Sequence, residues 1–407
     1  MNTKTVLISG AGIGGPALAF WLHAAGFEPT LVERAPRLRT GGYVIDFWGL
    51  GYEIAERMGL AAAIRGTGYR MRELRIVDGR GRRAAGFGID VFNELTGGRF
   101  VTLRRSDLSR LLFDKIERHT EVIFGDEIDA IRERADGVEV GFQKGGIRRF
   151  DLVIGADGLH SRVRELTFGP EDAFEERLGY LVAAFETQGY RPRDENIYVL
   201  FNAPGRMLGR IALADDRTLF LLVVALEDPL APLPADLPAQ KALLQRRFAG
   251  RGEANWECES ILADLARARE LYFDRVSQIK MDKWSKGRVA LIGDAAFCVS
   301  LMAGQGSALA MISAYVLAGE LAAAAGRYEA AFANYENRLR GFIEPKRRGA
   351  KRFATAFAPR TAWGLFVRNR IIKTLAIPGA AKLAVGREII DDLRLPDYPW
   401  PMHAVAH

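Results

Sequence analysis

Within its first fifteen residues the chain commits itself to a parallel β-sheet. The apolar run Val6-Leu7-Ile8-Ser9 leads directly into Gly10-Ala11-Gly12-Ile13-Gly14-Gly15, and an apolar helical stretch follows. A strand that enters a helix through Gly-x-Gly-x-x-Gly opens a βαβ unit whose turn approaches a dinucleotide. Gly10 permits the tight turn, Gly12 lets backbone approach a pyrophosphate, and Gly15 lets the helix lie close to the strand. Gly14 sits in the same loop, where the helix N-terminus adds amide donors and the positive end of its dipole. The predicted helix Gly14–Ala25 is apolar nearly all round (Ala17, Leu18, Phe20, Trp21, Leu22), as expected when it packs on a sheet. A second strand, Pro29–Val32, ends at Glu33, where a carboxylate can hold ribose hydroxyls. Arg34 beside it is a candidate to flank an adenine, or simply an exposed arginine. This unit alone does not separate FAD from NAD.

A second loop narrows the choice. The buried strand Arg288–Ile292 runs into Gly293-Asp294-Ala295-Ala296, and Ala303-Gly304-Gln305-Gly306 follows, with a helix starting near Gly304–Ser307. Gly304, Gly306 and Ser307 would place that helix N-terminus against a negative charge, and reduced flavin carries one around N1 and the C2 carbonyl. Two distant loops thus suggest a flavin held at both ends. Between them, Asp157-Gly158 ends the strand Asp151–Gly155 and precedes His160, Arg162 and Arg164. An aspartate there can accept from a ribose or order its own turn. Arg104-Arg105-Ser106-Asp107-Leu108 opens a helix with Ser106 as N-cap candidate, and Arg105 can reach flavin or pyrophosphate.

At 407 residues the chain exceeds one ordinary core, and 49% hydrophobic residues with 26% charged is the balance of a globular protein. No cleavable leader is expected, since Val6 already begins a strand. Ala308 to Ala325, interrupted by Ser313 and Glu320, reads as a core helix and not a membrane span. Two cysteines, Cys258 and Cys298, supply neither a disulfide framework nor a metal cluster, which fits the cytoplasm. The net charge of +7 comes late in the chain, in Lys346-Arg347-Arg348, Lys351-Arg352, Arg360, Arg368, Arg370 and Lys373. With neither a helix-turn-helix pattern nor aromatic RNA-binding boxes, this excludes nucleic-acid binding. A solvated helix face, or attraction of an anionic nicotinamide dinucleotide or a membrane surface, explains it. Ala362-Trp363-Gly364-Leu365-Phe366-Val367 either packs over the seam between domains or makes peripheral contact with lipid.

The remaining pattern places these loops. Helices are predicted at Ile54–Met58 and Leu108–Arg118, with a hairpin between them (Leu74–Val77, Asp78-Gly79, Arg83–Ile89). Short strands follow at Glu121–Phe124 and Gly137–Phe142. From Gly179 to Leu226 the period is two, in Leu181–Glu186, Ile197–Phe201, Arg210–Ala214 and Thr218–Val224, then helices at Gln240–Ala249 and Ile261–Glu270. Pro345, Pro359 and Pro378 are expected to break the late helices. The fold class is therefore α/β: a discontinuous Rossmann-like FAD-binding domain (1–70, 100–175 and 276–340), an inserted antiparallel-sheet substrate domain (71–99 and 176–275) and a C-terminal helical segment (341–407). Tyr180, Phe185, Tyr198, Phe201, Arg210 and Phe220 on the inserted strands cover a substrate or fill ordinary core. Gly41-Gly42-Tyr43-Val44-Ile45-Asp46-Phe47-Trp48-Gly49 reads as a mobile loop whose Asp46 or Trp48 can face substrate.

The combination Gly10-x-Gly12-x-x-Gly15, Arg105-x-x-Leu108, Asp157-Gly158 with Arg164, and Gly293-Asp294 with Gly304-x-Gly306 resembles the single-component FAD-dependent aromatic hydroxylases. These are the para-hydroxybenzoate hydroxylase family, including the tetracycline-inactivating monooxygenases, and the resemblance spans roughly residues 4 to 340. It implies that Gly10, Gly12, Gly15 and Glu33 bind the adenylate half of FAD, that Arg105 contacts FAD, and that Asp157 lies in a motif tied to FAD and nicotinamide use. Asp294 would hold the ribityl chain, and Gly304 to Ser307 would lie against the pyrimidine side of the ring. NADPH or NADH would bind transiently as reductant. O₂ would then form a flavin C4a-hydroperoxide whose distal oxygen passes to a small aromatic, polycyclic or enolic substrate. No side-chain nucleophile is needed, so neither His23 nor His160 is given a catalytic role, and no metal is implied. The protein would be a cytoplasmic monomer or homodimer. Many relatives carry His at Phe297, Pro at Ser300 or Leu301, and Asn and Asp at Ala308 and Ser313, so this chain departs where oxygen reacts. The competing readings are a flavin-dependent reductase, dehydrogenase or halogenase, the last lacking its W-x-W-x-I-P segment, and a non-catalytic FAD-binding protein.

Overall fold

The computed structural model describes residues 4–39, 41, 43–249, 255–375 and 391–400. Its first layer is a six-stranded sheet ordered Ser285–Lys286, Val289–Leu291, Leu152–Gly155, Thr5–Ser9, Glu28–Glu33 and Glu121–Phe124. All neighbours are parallel except the first pair. Strand Thr5–Ser9 lies centrally, so the glycine loop and the turns after Gly155 and Leu291 emerge at the same carboxyl edge. That edge is where open α/β sheets bind ligands.

The helix Gly14–Ala24 approaches its strand as closely as backbone allows: a Cβ on Gly15 would stand 1.9 Å from the Gly10 carbonyl oxygen. On its other side it meets Gly306–Ala323, which also packs on Gly49–Arg57 and Tyr328–Phe357. Gly306–Ala323 is, among the described residues, the one helix long and apolar enough to cross a membrane; 67% of it is buried inside the fold, as a core helix should be. Its residues Met311, Tyr315, Val316 and Leu317 have no solvent exposure.

The second layer is a seven-stranded sheet ordered Tyr272–Ile279, Glu175–Gln188, Arg217–Ala225, Arg206–Ala212, Ile197–Ala203, Glu73–Val77 and Arg83–Gly88. It is antiparallel except where Ile197–Ala203 runs parallel to Glu73–Val77, the junction that brings the early hairpin into the later meander. Alternation sorts its side chains. Leu181, Ala183 and Phe185 pack with helices Leu237–Phe248 and Cys258–Arg267 on one face, while Tyr180, Val182 and Ala184 belong to the other.

Several elements differ from expectation. Residues Val44–Trp48 form a strand paired antiparallel with Phe100–Arg104, so this part of the glycine-flanked segment is a held ribbon rather than a free loop; Gly42 lies outside the described residues. Strands Ile128–Arg134 and Gly146–Phe150 join Gly137–Phe142 in a separate three-stranded sheet. The helix Arg105–Asp114 starts two residues earlier than a Ser106 cap would place it, with Arg104 at the N-cap position. Pro345 does not break its helix, which runs from Tyr328 to Phe357. A mid-helix proline costs about 3 kcal/mol. Here Phe342 and Ile343 are buried and the Arg347 carbonyl accepts from Gln278 Nε2 at 2.8 Å, so tertiary contacts on both sides of the proline override its local preference. Pro359 does follow a helix end, and Pro378 lies outside the described residues.

Candidate active site

A cavity of about 1940 Å³ runs from the glycine loop to the face of the seven-stranded sheet. Of the twelve residues singled out from the sequence, eleven line it: Gly10, Gly12, Gly14, Glu33, Arg34, Arg105, Asp157, Asp294, Gly304, Gly306 and Ser307. Gly15 does not, because it sits behind the loop in the strand–helix contact.

At the glycine-loop end the backbone is crowded by design. Gly10 adopts φ +102°, and a Cβ there would stand 2.7 Å from the Ala156 carbonyl oxygen and 2.9 Å from the Asp157 Cα. The glycine loop and the Asp157 turn are thus in backbone contact. Arg105 reaches over the same loop, since a Cβ on Gly12 would lie 3.3 Å from its Nη2. Ser109, one helical turn on, donates to the Gly12 carbonyl at 3.0 Å. Glu33 holds the loop as well: its Oε2 accepts from the Ala11 amide and its Oε1 from the Ala35 amide, each at 2.9 Å.

Asp157 is occupied in ordering its own turn. Its Oδ1 accepts from Ser161 Oγ at 2.5 Å and its Oδ2 from the Val163 amide at 3.1 Å, while Ser161 Oγ caps the next helix by accepting from the Arg164 amide. Burial raises the Asp157 pKa, and these bonds work against the rise. Arg164, fully buried, is the tie between the turns. It donates from Nη1 to the Ala295 carbonyl at 3.0 Å and from Nη2 to Leu159 O and Glu171. Asp294 and Asp157 are thereby fixed on either side of one guanidinium.

Asp294 is half-buried; desolvation raises its pKa, offset in part by the Arg105 charge and a hydrogen bond from Cys298. Ser313 has a task that sequence reasoning missed: its Oγ accepts from the Gly293 amide at 3.1 Å and donates to Ala310 O at 2.9 Å. Gly304 is left-handed at φ +66°, and a Cβ there would be 3.7 Å from the Trp48 ring. The Gly304–Ser307 helix start therefore faces the ribbon that carries Asp46 and Trp48.

The far end of the cavity is mostly apolar. Leu74, Ile76, Val182, Leu200, Ile211 and Leu221 form its floor. Trp48 stacks on Phe100 at 6.2 Å, and Tyr43 meets Tyr272 edge-on at 5.2 Å. A polar cluster interrupts these walls on the side of the ribbon. Asp46 Oδ1 accepts from Tyr198 at 2.5 Å and from Thr102 at 2.6 Å, with Oδ2 left without a hydrogen bond among the described residues. Burial raises the Asp46 pKa, and burial with the neighbouring carboxylate pushes Tyr198 well up, so the proton stays on the phenol. Of the six inserted-strand candidates only Tyr198 lines the cavity. Phe185, Phe201 and Phe220 fill the core under the helices, Tyr180 lies under Arg360, and Arg210 is buried in ion pairs with Asp194 and Glu257.

His160 bridges the two layers: Nδ1 meets Glu171 at 2.8 Å and Nε2 meets Asp274 at 3.2 Å. These carboxylates raise its pKa from 6.5 to about 10. A folded value above the unfolded one gives stability that is complete below about pH 6.5 and lost as pH climbs through about 10. We therefore expect His160→Gln to lower Tm by a few degrees at most near neutrality, since half the side chain is exposed and solvent screens the pair. The gap from wild type should close above about pH 10; a gap that stays constant in parallel melts would refute the link.

A family model described as an FAD binding domain matches residues 3–344. A flavin-dependent monooxygenase of Legionella longbeachae is 32% identical over 409 residues, covering 97% of this chain and 98% of the relative. This chain belongs to the FAD-dependent monooxygenase family. An uncharacterized protein of Mycobacterium tuberculosis is 40% identical over 354 residues, 84% of this chain and 91% of its own length. Among solved structures, tetracycline destructase Tet(51) superposes with a TM-score of 0.81 at 30% identity, covering 97% of this chain and 100% of that one.

The chain's residues fit the cofactor this family carries. Cβ atoms at Gly10 and Gly15 would strike backbone, Arg105 reaches over the Gly12 backbone on the cavity wall, and the cavity has room for a dinucleotide beside a substrate. At Ser300 no proline could sit: φ is +122°, against the value near −65° that a proline ring imposes. Such a conformation in a residue with a Cβ costs about 1–3 kcal/mol. Ser300→Gly and Ser300→Ala both lose the bond that Ser300 Oγ accepts from the Met302 amide, so their difference isolates the strain. The glycine variant should be more stable by about 1 kcal/mol in denaturant unfolding. An alanine variant more stable than the glycine variant would show that the backbone is not strained, because an unstrained alanine gains about 0.4–1 kcal/mol over glycine through the unfolded chain.

Proposed function

We propose that this monooxygenase uses NAD(P)H and O₂ to place one oxygen atom on a small aromatic, polycyclic or enolic molecule held over the seven-stranded sheet. One observation carries the reading: a single cavity joins the glycine cradle to a mostly apolar chamber that contains a part-buried carboxylate–phenol pair. In this reading residues 71–99 and 176–275 are the substrate domain. Gly10, Gly12, Gly15, Glu33 and Arg34 serve the adenylate end, Arg105 the pyrophosphate, Asp294 the ribityl chain, and Gly304, Gly306 and Ser307 the pyrimidine edge. Gly14 admits Ile292 and Ala310 beside the loop, and Asp157 with Arg164 keeps the two loops in register. Bound FAD supplies acceptance of hydride from NAD(P)H and activation of O₂.

The protein contributes placement and proton handling. The apolar floor excludes water, which protects a reactive oxygen donor and strengthens polar contacts inside. Asp46 takes the proton from a ring hydroxyl or enol, making that carbon framework more electron-rich, while Tyr198 and Thr102 hold its carboxylate. Both cysteines are buried and free, which suits the reducing cytoplasm where NAD(P)H is supplied. The test is a substrate screen for stimulated NAD(P)H oxidation with product mass. A product heavier by one oxygen atom supports the reading. Oxidation of NAD(P)H with an organic product that gains no oxygen defeats it in favour of a reductase.

A further inference from the structure

The helix Ala362–Leu375 roofs the chamber opposite the sheet, and Trp363, Val367, Arg368, Ile371 and Ile372 from it line the cavity. Arg368 stands apart from the cations that line the cavity away from the glycine loop. Lys346 pairs with Asp391, His160 with Glu171 and Asp274, and Arg275 donates to two backbone carbonyls. Arg368 has no salt bridge among the described residues. Its single hydrogen bond runs from Nη2 to Asn202 Oδ1 at 3.0 Å, and its buried Nε has no acceptor. Asn202 is itself oriented, donating from Nδ2 to the Phe357 carbonyl at 3.2 Å, so its Oδ1 is turned to the guanidinium. Desolvation with no charge to offset it lowers the Arg368 pKa to about 10. A half-buried cation without a counter-ion is costly, and an incoming carboxylate would offset that cost with charge-assisted hydrogen bonds.

We propose that Arg368 is the counter-ion for an acidic group of the organic substrate, which is therefore an aromatic or enolic acid and not a neutral ring. This rests on the hydroxylase reading of the chamber. The planar guanidinium, oriented by Asn202, presents a fork that matches a carboxylate. Neutral isosteres of the same shape leave the guanidinium desolvated and unpaired, so they bind less well.

Binding can be read without turnover, because Trp48 and Trp363 line the cavity and report its occupancy by fluorescence. The probes are matched pairs titrated into the holoenzyme: salicylate against salicylamide, and 1-naphthoate against 1-naphthamide. Wild type should prefer each acid by about 10- to 100-fold, the range of a charge-assisted bond. Arg368→Met should abolish the preference by weakening the acids alone. Arg368→Lys should keep part of it. Asn202→Asp, which leaves the arginine in place but gives it an internal carboxylate, should also erase it and covers the case in which the Met variant folds poorly. Equal affinity within the pairs, preference for the amides, binding of neither member, or a preference that survives both Arg368→Met and Asn202→Asp would overturn the proposal. So would a change in the KM for NADPH with acid binding intact, since the anion would then be the nucleotide's. The hydroxylase reading is judged separately, by oxygen gained in product, so either can fail alone.

Discussion

Gly15→Val should yield a folded but colourless protein. A Cβ at that position would stand 1.9 Å from the Gly10 carbonyl oxygen and 3.1 Å from its carbon, and both are backbone, so no side chain can swing aside. The helix Gly14–Ala24 must move off its strand, and with it the amide donors aimed at the pyrophosphate. Overpacking of this kind costs about 1–3 kcal/mol in stability. The seven-stranded sheet, with its own core against Leu237–Phe248 and Cys258–Arg267, does not depend on the loop. FAD affinity should fall by at least about 100-fold, which is roughly 2.7 kcal/mol. Gly12→Ala provides the graded comparison: its Cβ would be 3.3 Å from Arg105 Nη2, the far end of a flexible side chain, so the loss should be nearer tenfold, about 1.4 kcal/mol. Gly66→Ala, with nothing within 4 Å, should retain full flavin. The check is flavin absorbance per protein after gel filtration, with far-UV circular dichroism for fold. Wild-type flavin content in the valine variant would mean that the cofactor does not lie on this loop.

What could be read from the sequence was whatever is local. The glycine spacing at residues 10–15 and the Gly293-Asp294 and Gly304-x-Gly306 steps each specify a turn within a few residues, and the structure brings them to one sheet edge. The alternation between Gly179 and Leu226 likewise announces strands. It does not say which face looks at a cavity, because that depends on what covers each face. Phe185 and Phe220 lie under helices from residues 237–267, whereas Tyr198 faces the ribbon at 44–48. The ribbon itself was illegible, since Val44–Trp48 sits behind Gly41 and Gly42 and its partner strand Phe100–Arg104 is more than fifty residues away. Pro345 was misleading for the same reason: a local rule ends the helix there, and contacts from Gln278 and the buried Phe342 keep it going. Ser313 gave no sequence signal either, because holding the Gly293 amide needs only a hydroxyl at the right height on a neighbouring helix.

The Asp46 cluster joins three segments that no motif connects, and it carries the second large effect. Asp46→Asn should reduce kcat by about 10²- to 10³-fold with a phenolic or enolic substrate, while FAD content and KM for NAD(P)H stay near wild type. Asparagine keeps the shape and can still accept from Tyr198 or Thr102, but it cannot take a proton, so the loss reports basicity and not packing. The pH profile gives a second handle. The hydrogen bonds from Tyr198 and Thr102 lower the Asp46 pKa against the rise caused by burial. Removing one, as in Tyr198→Phe, should therefore raise it. Because Asp46 must be ionised to accept a proton, the acidic limb of kcat should move to higher pH in Tyr198→Phe, with most of the activity recovered on its alkaline side. A substrate whose reacting hydroxyl is already ionised at neutral pH has no proton to surrender, and its turnover should be nearly indifferent to Asp46→Asn. If that ionised substrate suffers as severely as the phenol, Asp46 holds the chamber in shape and takes no proton; if neither suffers, the reacting ring does not sit against this wall at all.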